Sequence, residues 1–265
     1  MKRFLIFLCF LGLSSNLWAQ DWASERLEES PRHLEWVKVQ YGDREVRTLV
    51  AYPERADKAP VILMIHEIFG LTDWAQLMAD QLAAEGYIVV APDLLSGSAP
   101  NGGGTAELGS SSAARKAIGE LPPDQITADL KACLEYGKNL PASDGKVAVA
   151  GFCWGGSQSF RFATNEKDLE VAFVFYGTAP EDKEALARIS APVYGFYAEN
   201  DARVNATLEQ TKEAMKNLRK HYQPWIFEGG GHGFMRAGIA PDASEGNKMA
   251  REAAWKEWKR LLKNL

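Results

Sequence analysis

The chain has 265 residues, of which 46% are hydrophobic, 11% aromatic and 25% charged. This balance is typical of a folded globular protein and excludes a chain that is disordered throughout, because disorder requires a low content of apolar and aromatic residues. The formal net charge is -5 and no dense run of lysine or arginine occurs, so a nucleic-acid partner, which needs clustered positive charge, is not expected.

The first residues have the layout of an export signal. Two basic residues precede an apolar run over residues 4–13, and a short polar stretch follows. A membrane-spanning helix needs about 20 apolar residues, so this shorter run predicts a cleaved signal peptide and no stable membrane anchor after cleavage. We therefore predict a signal peptide over residues 1–20, cut after residue 19 or 20, and a periplasmic or secreted protein. The length of residues 21–265 suits a single domain.

Two segments near the start alternate apolar and polar residues, over residues 36–41 and 45–52. Gly42 and Asp43 lie between them. Alternation on both sides of such a turn pair predicts an antiparallel hairpin at one edge of a sheet.

The next two predicted strands are continuously apolar, over residues 60–65 and 87–91. Such runs are typical of strands that are covered on both faces, as in a parallel sheet. Between them, residues 71–85 carry apolar side chains at helical spacing, which predicts a crossover helix.

Strands and helices alternate through the rest of the chain. The further predicted helices cover residues 124–138, 205–221 and 243–262, together with a segment that begins at residue 154. The further predicted strands cover residues 146–150, 171–176, 192–197 and 225–228. Residues 96–112 are rich in glycine and serine and are predicted to form a long loop. This order predicts the α/β class, with a mostly parallel central sheet, helices on both faces and an antiparallel N-terminal edge. In such sheets the active groups lie on loops beyond the carboxyl ends of the strands.

A candidate nucleophile follows the predicted strand over residues 146–150. Residues 151–155 read Gly-Phe-Cys-Trp-Gly, and a Gly-x-nucleophile-x-Gly turn between a strand and a helix is typical of a tightly held nucleophile. The start of the following helix would favour a thiolate at Cys153. The pentapeptide alone fits a buried structural cysteine equally well.

A nucleophile of this kind needs an acid and a histidine after it in the chain. Of the two downstream histidines, His232 lies in a glycine-rich loop after the last predicted strand, whereas His221 lies at the polar end of a predicted helix. His232 is therefore the candidate base. Asp201 follows the strand over residues 192–197 and is the candidate acid, with Glu199 as the second candidate; a turn or helix-capping role is the structural alternative for Asp201.

These motifs resemble the dienelactone hydrolase family of α/β hydrolases, from about residue 60 to the C-terminal helix. The specific matches are His-Glu-Ile-Phe-Gly at residues 66–70, Gly-Phe-Cys-Trp-Gly-Gly at 151–156 and Gly-His-Gly-Phe at 231–234. The resemblance implies the α/β-hydrolase fold and a Cys-Asp-His triad.

In that triad, the resemblance assigns the three roles to Cys153, Asp201 and His232. It also implies a role for Glu67, which matches a glutamate that contacts the resting thiol in relatives. A salt bridge between Glu67 and a neighbouring arginine is the alternative.

The resemblance further implies an oxyanion hole formed by the backbone N–H groups of Ile68 and Trp154. Arg236 matches a position at which relatives bind the carboxylate of the substrate, and the alternative for Arg236 is a solvated loop cation. Arg115 is the nearest candidate for a second substrate-binding arginine.

We therefore expect a hydrolase that cleaves a carboxylic ester or lactone of a small molecule through Cys153 and an acyl-thioester, without a cofactor. No metal site is predicted, because the histidine pair of a zinc helix would need a histidine four residues after His66, where the sequence has Gly70.

Two other functions fit parts of the sequence. One is a catalytically inactive exported homologue that binds a ligand or a partner. The other is a redox role for Cys133 and Cys153 in an oxidising compartment. Cys133 lies on a predicted helix among apolar residues, so we expect it to be buried and both thiols to stay reduced.

Overall fold

The computed structural model describes residues 21–265. The signal peptide predicted for residues 1–20 lies outside the described residues. Residues 21–265 are built around a single sheet of eight strands.

The strands are β1 Leu34–Tyr41, β2 Arg44–Ala51, β3 Ala59–Ile65, β4 Ile88–Pro92, β5 Ser143–Phe152, β6 Val171–Phe175, β7 Val193–Asn200 and β8 Tyr222–Gly231. Their order in the sheet is β1-β2-β4-β3-β5-β6-β7-β8. The pairs β1–β2 and β2–β4 are antiparallel, and every other neighbouring pair is parallel. This confirms the prediction of a mostly parallel sheet with an antiparallel N-terminal edge.

The helices are α1 Asp21–Glu28, α2 Asp73–Ala84, α3 Ser111–Glu120, α4 Pro123–Lys138, α5 Trp154–Ala163, α6 Lys183–Ala187, α7 Ala202–Asn205, α8 Leu208–Asn217, α9 Phe234–Ala237 and α10 Glu245–Leu262. None of the helices within residues 21–265 is both long and apolar enough to cross a membrane.

The two faces of the sheet carry separate cores, because successive side chains of a strand point to opposite faces. Ile62 and Met64 of β3 pack with α2 and α10 on one face. Val61 and Leu63 pack with α4, α5 and α8 on the other face. Helices on both faces of a mostly parallel sheet are the predicted arrangement.

The two cysteines of residues 21–265 are free and belong to these different faces. Cys133 is buried on α4, with its Sγ 3.4 Å from the Thr48 hydroxyl. Cys153 packs partly buried against the core of the opposite face. The sheet therefore separates the two thiols.

The helix predicted over residues 205–221 is wrong in its bounds. The structure has two helices here, α7 and α8, and α7 starts earlier than predicted because the Asp201 side chain caps it by accepting a hydrogen bond from the Val204 N–H group. The second part ends at Asn217, and Arg219 then adopts a positive φ of 56°, a conformation that a helix cannot continue through.

The loop predicted over residues 96–112 contains more structure than the sequence indicated. It includes 3₁₀ turns at Pro100–Gly102 and Thr105–Leu108, and α3 begins at its end, where the Ser110 hydroxyl caps the helix. The buried carboxylate of Asp93 holds this segment in place, because it accepts hydrogen bonds from both the N–H group and the hydroxyl of Thr105, each at 2.7 Å.

Strand β5 and helix α5 approach each other at Gly151. A Cβ atom on Gly151 would lie 1.9 Å from the carbonyl oxygen of Gly155, a distance at which the backbone has to move. Only glycine therefore allows the helix to start this close to the strand.

We expect Gly151→Ala to lower the free energy of unfolding by at least about 3 kcal/mol, because the clash is with backbone and cannot be relieved by a side-chain rotation. Gly119→Ala is the matched control. Gly119 is exposed on α3, and a Cβ atom added there would have nothing within 4 Å, so the free energy of unfolding of this variant should rise by about 0.5 kcal/mol. Urea unfolding of both variants measures the difference. Equal stabilities would contradict the backbone contact.

Candidate active site

Several candidate residues lie where neighbouring parallel strands end at the same edge of the sheet. Cys153 follows β5, Asp201 follows β7, and His232 follows β8. Glu67 lies just beyond β3. The fold therefore brings together residues that are far apart in the sequence.

Cys153 connects β5 to α5 in a strained backbone conformation, with φ 57° and ψ -117°. A non-glycine residue in this region costs of the order of 1–3 kcal/mol and persists only when its surroundings impose it. Here the Cys153 N–H group donates to the Phe175 carbonyl at 3.0 Å, and the Cys153 carbonyl accepts from Ser157 at 3.2 Å. The strand end and the first helical turn thus hold the cysteine from both sides.

Cys153, His232 and Asp201 form a continuous chain of contacts. The Cys153 Sγ atom lies 3.1 Å from His232 Nε2, and His232 Nδ1 lies 2.5 Å from Asp201 Oδ2. The Asp201 side chain is 6% exposed and that of His232 is 33% exposed. The imidazole is therefore reachable from solvent, whereas the carboxylate that orients it is not.

Asp201 contacts the candidate base and also caps a helix, the two possibilities that the sequence offered for it. Its Oδ2 atom contacts His232, and its Oδ1 atom accepts from the Val204 N–H group at 3.4 Å as the cap of α7. The second candidate, Glu199, accepts instead from the Gly229 N–H group at 2.9 Å. His221, the other downstream histidine, packs edge-on against Tyr194. Of these candidates, only Asp201 contacts His232.

The environment of His232 favours its protonated form. The hydrogen bond to Cys153 is the largest cause, the contact with Asp201 adds to it, and burial opposes both; together they raise the pKa of His232 to about 9. At neutral pH this histidine is therefore an imidazolium that lies 3.1 Å from the sulfur.

Glu67 contacts an arginine rather than the thiol. Its Oε2 atom accepts from Arg236 Nε at 2.8 Å, and the Glu67 side chain is 4% exposed. This is the salt bridge given above as the alternative for Glu67, and within residues 21–265 no hydrogen bond joins Glu67 to Cys153. Burial raises the pKa of Glu67, and the Arg236 charge opposes that increase.

Tyr176 is a residue of this site that the sequence analysis missed. It follows β6 with a φ of 40°, and its ring packs edge-on against His232 at a centroid distance of 5.1 Å. Among the described residues its buried hydroxyl has no partner with full hydrogen-bond geometry, but the Glu67 carboxylate lies close enough to interact with it. Burial, followed by the charge of Glu67, raises the pKa of Tyr176 well above its usual value. Its place as the last residue of the strand predicted over residues 171–176 was the available signal.

The two candidate oxyanion donors lie on segments that touch. A Cβ atom on Gly155 would lie 2.2 Å from the His66 carbonyl oxygen, so the start of α5, with Trp154, packs against the backbone that leads to Ile68. Among the turn, loop and cap hydrogen bonds of residues 21–265, none uses the N–H group of Ile68 or Trp154 as its donor. Both remain available to an incoming oxygen.

Arg115 is not part of this group of contacts. It is exposed on α3, and within the described part of the chain it makes no hydrogen bond or ion pair with the other candidate residues. The opposite side of α3 does face the site, because Ala114 and Ile118 pack with the side chains of Ile68 and Trp154. The substrate-binding role of Arg115 stays a prediction. Residues 21–265 contain no cluster of side chains that could hold a metal ion.

Comparisons with known proteins place the chain in one family of enzymes. The model of the dienelactone hydrolase family matches residues 46–265. The protein named carboxymethylenebutenolidase 1 from Cupriavidus pinatubonensis is 31% identical over 189 residues, which are 68% of this chain and 77% of that protein.

Two solved structures are similar in fold. A protein provisionally named a dienelactone hydrolase, from Klebsiella pneumoniae subsp. pneumoniae, gives a TM-score of 0.77 at 21% identity and covers 88% of this chain and 99% of its own. A dienelactone hydrolase-like promiscuous phosphotriesterase from metagenomic libraries gives a TM-score of 0.71 at 21% identity, and the match covers 88% of this chain and 98% of that protein.

We expect Arg236→Ala to lower the free energy of unfolding by about 3 kcal/mol, because it leaves the buried Glu67 carboxylate without its cation. The double variant Glu67→Gln/Arg236→Gln removes both charges, so its free energy of unfolding should fall by less than that of the single variant. Denaturant unfolding at pH 7 measures both. A double variant that is less stable than Arg236→Ala would show that the charge left behind is not the cause.

Proposed function

The chain belongs to the dienelactone hydrolase family and is a hydrolase of the ester or lactone type; we propose that it cleaves these bonds through Cys153 as the nucleophile. The observation that carries the proposal is the contact chain from Cys153 Sγ to His232 Nε2 at 3.1 Å and from His232 Nδ1 to Asp201 Oδ2 at 2.5 Å. A nucleophile, a base and an orienting acid in hydrogen-bond contact are what covalent acyl transfer requires.

In the proposed first half-reaction, the Cys153 thiolate attacks the carbonyl carbon of the substrate. The C–S bond forms while the carbonyl π electrons move to oxygen, and the N–H groups of Ile68 and Trp154 donate to that oxyanion. When the tetrahedral intermediate collapses, the C–O bond to the leaving group breaks. The His232 imidazolium gives its proton to the departing alkoxide, which leaves an acyl-thioester and a neutral imidazole.

In the proposed second half-reaction, the neutral His232 imidazole takes a proton from water as the water oxygen attacks the thioester carbon. The second tetrahedral intermediate expels Cys153 as a thiolate, and the carboxylic acid product is released. His232 is again an imidazolium. Asp201 keeps its contact with Nδ1 throughout, which fixes the tautomer in which Nε2 faces the sulfur and the substrate.

Arg236 supports a substrate that carries an anionic group. Its Nε atom is used by Glu67, but within residues 21–265 its terminal nitrogens have no hydrogen-bond partner, and the side chain is 32% exposed. A guanidinium fork of this kind is suited to a carboxylate. We therefore propose that carboxylated esters or lactones bind through Arg236, in line with the name of the Cupriavidus relative.

Glu67 would respond to that binding. An anion at Arg236 competes with Glu67 for the guanidinium, and burial already disfavours the charged form of this carboxyl. We propose that its weakened ion pair then allows Glu67 to reach toward Cys153, the contact expected from relatives. Arg115, which is exposed on α3, is proposed as a second contact of the same anionic group.

We expect Cys153→Ala to reduce the hydrolysis of lactones and aryl esters by on the order of 10³-fold or more, with little change in the melting temperature. Cys133→Ala is the matched control: it removes the other thiol of the described chain, which is buried on the far face of the sheet, so turnover per folded molecule should be retained. Steady-state assays across lactones, aryl esters and carboxylated esters measure this.

Full activity in Cys153→Ala would refute the proposed nucleophile. A parent protein that turns over no ester or lactone in the same screen would instead support the alternative of an inactive homologue that binds a ligand or partner.

The raised pKa of His232 predicts the pH at which leaving-group protonation fails. Because this pKa is raised from 6.5 to about 9, the imidazolium persists up to that pH and is lost above it. We expect kcat/KM for a simple alkyl ester to fall above about pH 9, whereas the value for a p-nitrophenyl ester of the same acid should not, because that leaving group departs without a proton. Parallel pH–rate profiles for the two esters would contradict a general-acid role for His232.

A further inference from the structure

His66 is a buried histidine next to the site that the proposed reaction does not use. It is fully buried at the end of β3, and both of its ring nitrogens contact backbone groups. Nε2 accepts from the Leu94 N–H group at 3.2 Å, and Nδ1 lies 2.8 Å from the carbonyl oxygen of Glu67. A side chain with two such contacts joins the segment after β3 to the segment after β4.

These contacts define the protonation state of the ring. Because Leu94 donates to Nε2, that nitrogen carries no hydrogen, so the neutral ring has its hydrogen on Nδ1 and donates it to the Glu67 carbonyl. Burial lowers the pKa of His66, although the charge of Asp93 opposes this, and the neutral form is therefore maintained. The tautomer follows from the hydrogen bonds.

The Glu67 carbonyl belongs to the same peptide unit as the Ile68 N–H group. The bond is trans, as are all peptide bonds in residues 21–265, so the carbonyl and the N–H group point in opposite directions in one plane. The carbonyl oxygen accepts from His66 at 2.8 Å and from the Gly70 N–H group at 3.1 Å, which occupies both of its lone pairs. Fixing this oxygen fixes the direction in which Ile68 N–H points.

The ring of His66 also contacts the side chain of Trp154, the residue that carries the second candidate donor. It stacks on the Trp154 indole with a centroid distance of 5.7 Å and an interplanar angle of 19°. Its own carbonyl oxygen faces Gly155. A single side chain therefore lies against both segments whose amides would bind the oxyanion.

The Leu94 N–H group, which donates to Nε2 of the His66 ring, lies in a rigid segment. Leu94 is fully buried, and its neighbour Asp93 accepts from the Leu95 N–H group at 3.1 Å as well as from Thr105. The Leu94 N–H group therefore has a fixed direction, and it holds the imidazole against rotation.

We propose that His66 is a positioning residue: its Nδ1–H group aims the Glu67–Ile68 peptide so that the Ile68 N–H group faces the oxyanion. The inference rests on the proposed cysteine mechanism. His66 touches neither the substrate nor the reacting atoms, and it acts through the peptide bond that it holds.

The test compares two variants of equal size, His66→Asn and His66→Leu. Asn places an amide N–H group close to the position of Nδ1 and can still donate to the Glu67 carbonyl, whereas Leu cannot. Neither side chain reaches the Leu94 N–H group, so both should lose similar stability. The pair therefore isolates the hydrogen bond to the peptide.

We expect kcat for an aryl ester to fall about 100-fold in His66→Leu, the loss typical of one oxyanion donor, and to stay within about 5-fold of the parent in His66→Asn. KM should change little in either. Alkylation of Cys153 by iodoacetamide should proceed at the parent rate in both variants, because displacement at a saturated carbon develops no oxyanion.

Equal kcat values for the Asn and Leu variants would overturn the proposal. An alkylation rate that falls together with kcat would also overturn it, because the substitution would then have changed the reactivity of the Cys153 thiol. If neither variant folds, nitrogen NMR of the parent protein decides, because a His66 ring protonated at Nε2 excludes the proposed donor and a ring protonated at Nδ1 supports it. Failure of the cysteine mechanism itself is recognised separately, by full ester hydrolysis in Cys153→Ala.

Discussion

The site depends on the close approach of backbone segments around Cys153. A Cβ atom on Gly151 would meet Gly155, and one on Gly156 would lie 2.4 Å from the Phe175 carbonyl oxygen. With these atoms absent, α5 starts directly on the end of the sheet, and Cys153 is held at a positive φ between two fixed backbone hydrogen bonds. The energetic cost of this strained turn is met by the packing of the surrounding core.

The same edge of the sheet carries two pairs of acidic and basic side chains. In one pair the buried Asp201 carboxylate holds His232, which contacts the Cys153 sulfur, and in the other the buried Glu67 carboxylate holds Arg236. A buried carboxylate is costly unless it is paired, so each acid fixes the position of its basic partner. We propose that one pair serves the transfer of protons and the other the recognition of an anionic substrate.

Much of the fold could be predicted because its signals are local. Apolar runs such as residues 60–65 and helical spacing such as residues 71–85 reflect burial within one element. The prediction was wrong where the signal depended on a distant partner. The helix predicted from residue 205 starts earlier because Asp201 caps a short helix while it also contacts His232. The start of α3 was not predicted because its buried face, with Ile118, covers Ile68 and Trp154.

The sequence by itself determined which groups are present and which strand each one follows: the glycine-flanked Cys153, an acid after another strand, and His232 after a third. The strands of a parallel sheet end at the same edge, so these groups could be expected to lie near one another. Only the tertiary structure decided which atoms touch. It selected Asp201 over Glu199, paired Glu67 with Arg236, and left Arg115 exposed. It also gave His66 its two backbone partners. These outcomes depend on how closely the loops approach one another, which is fixed by packing across the sheet and is not recorded in any local pattern of the chain.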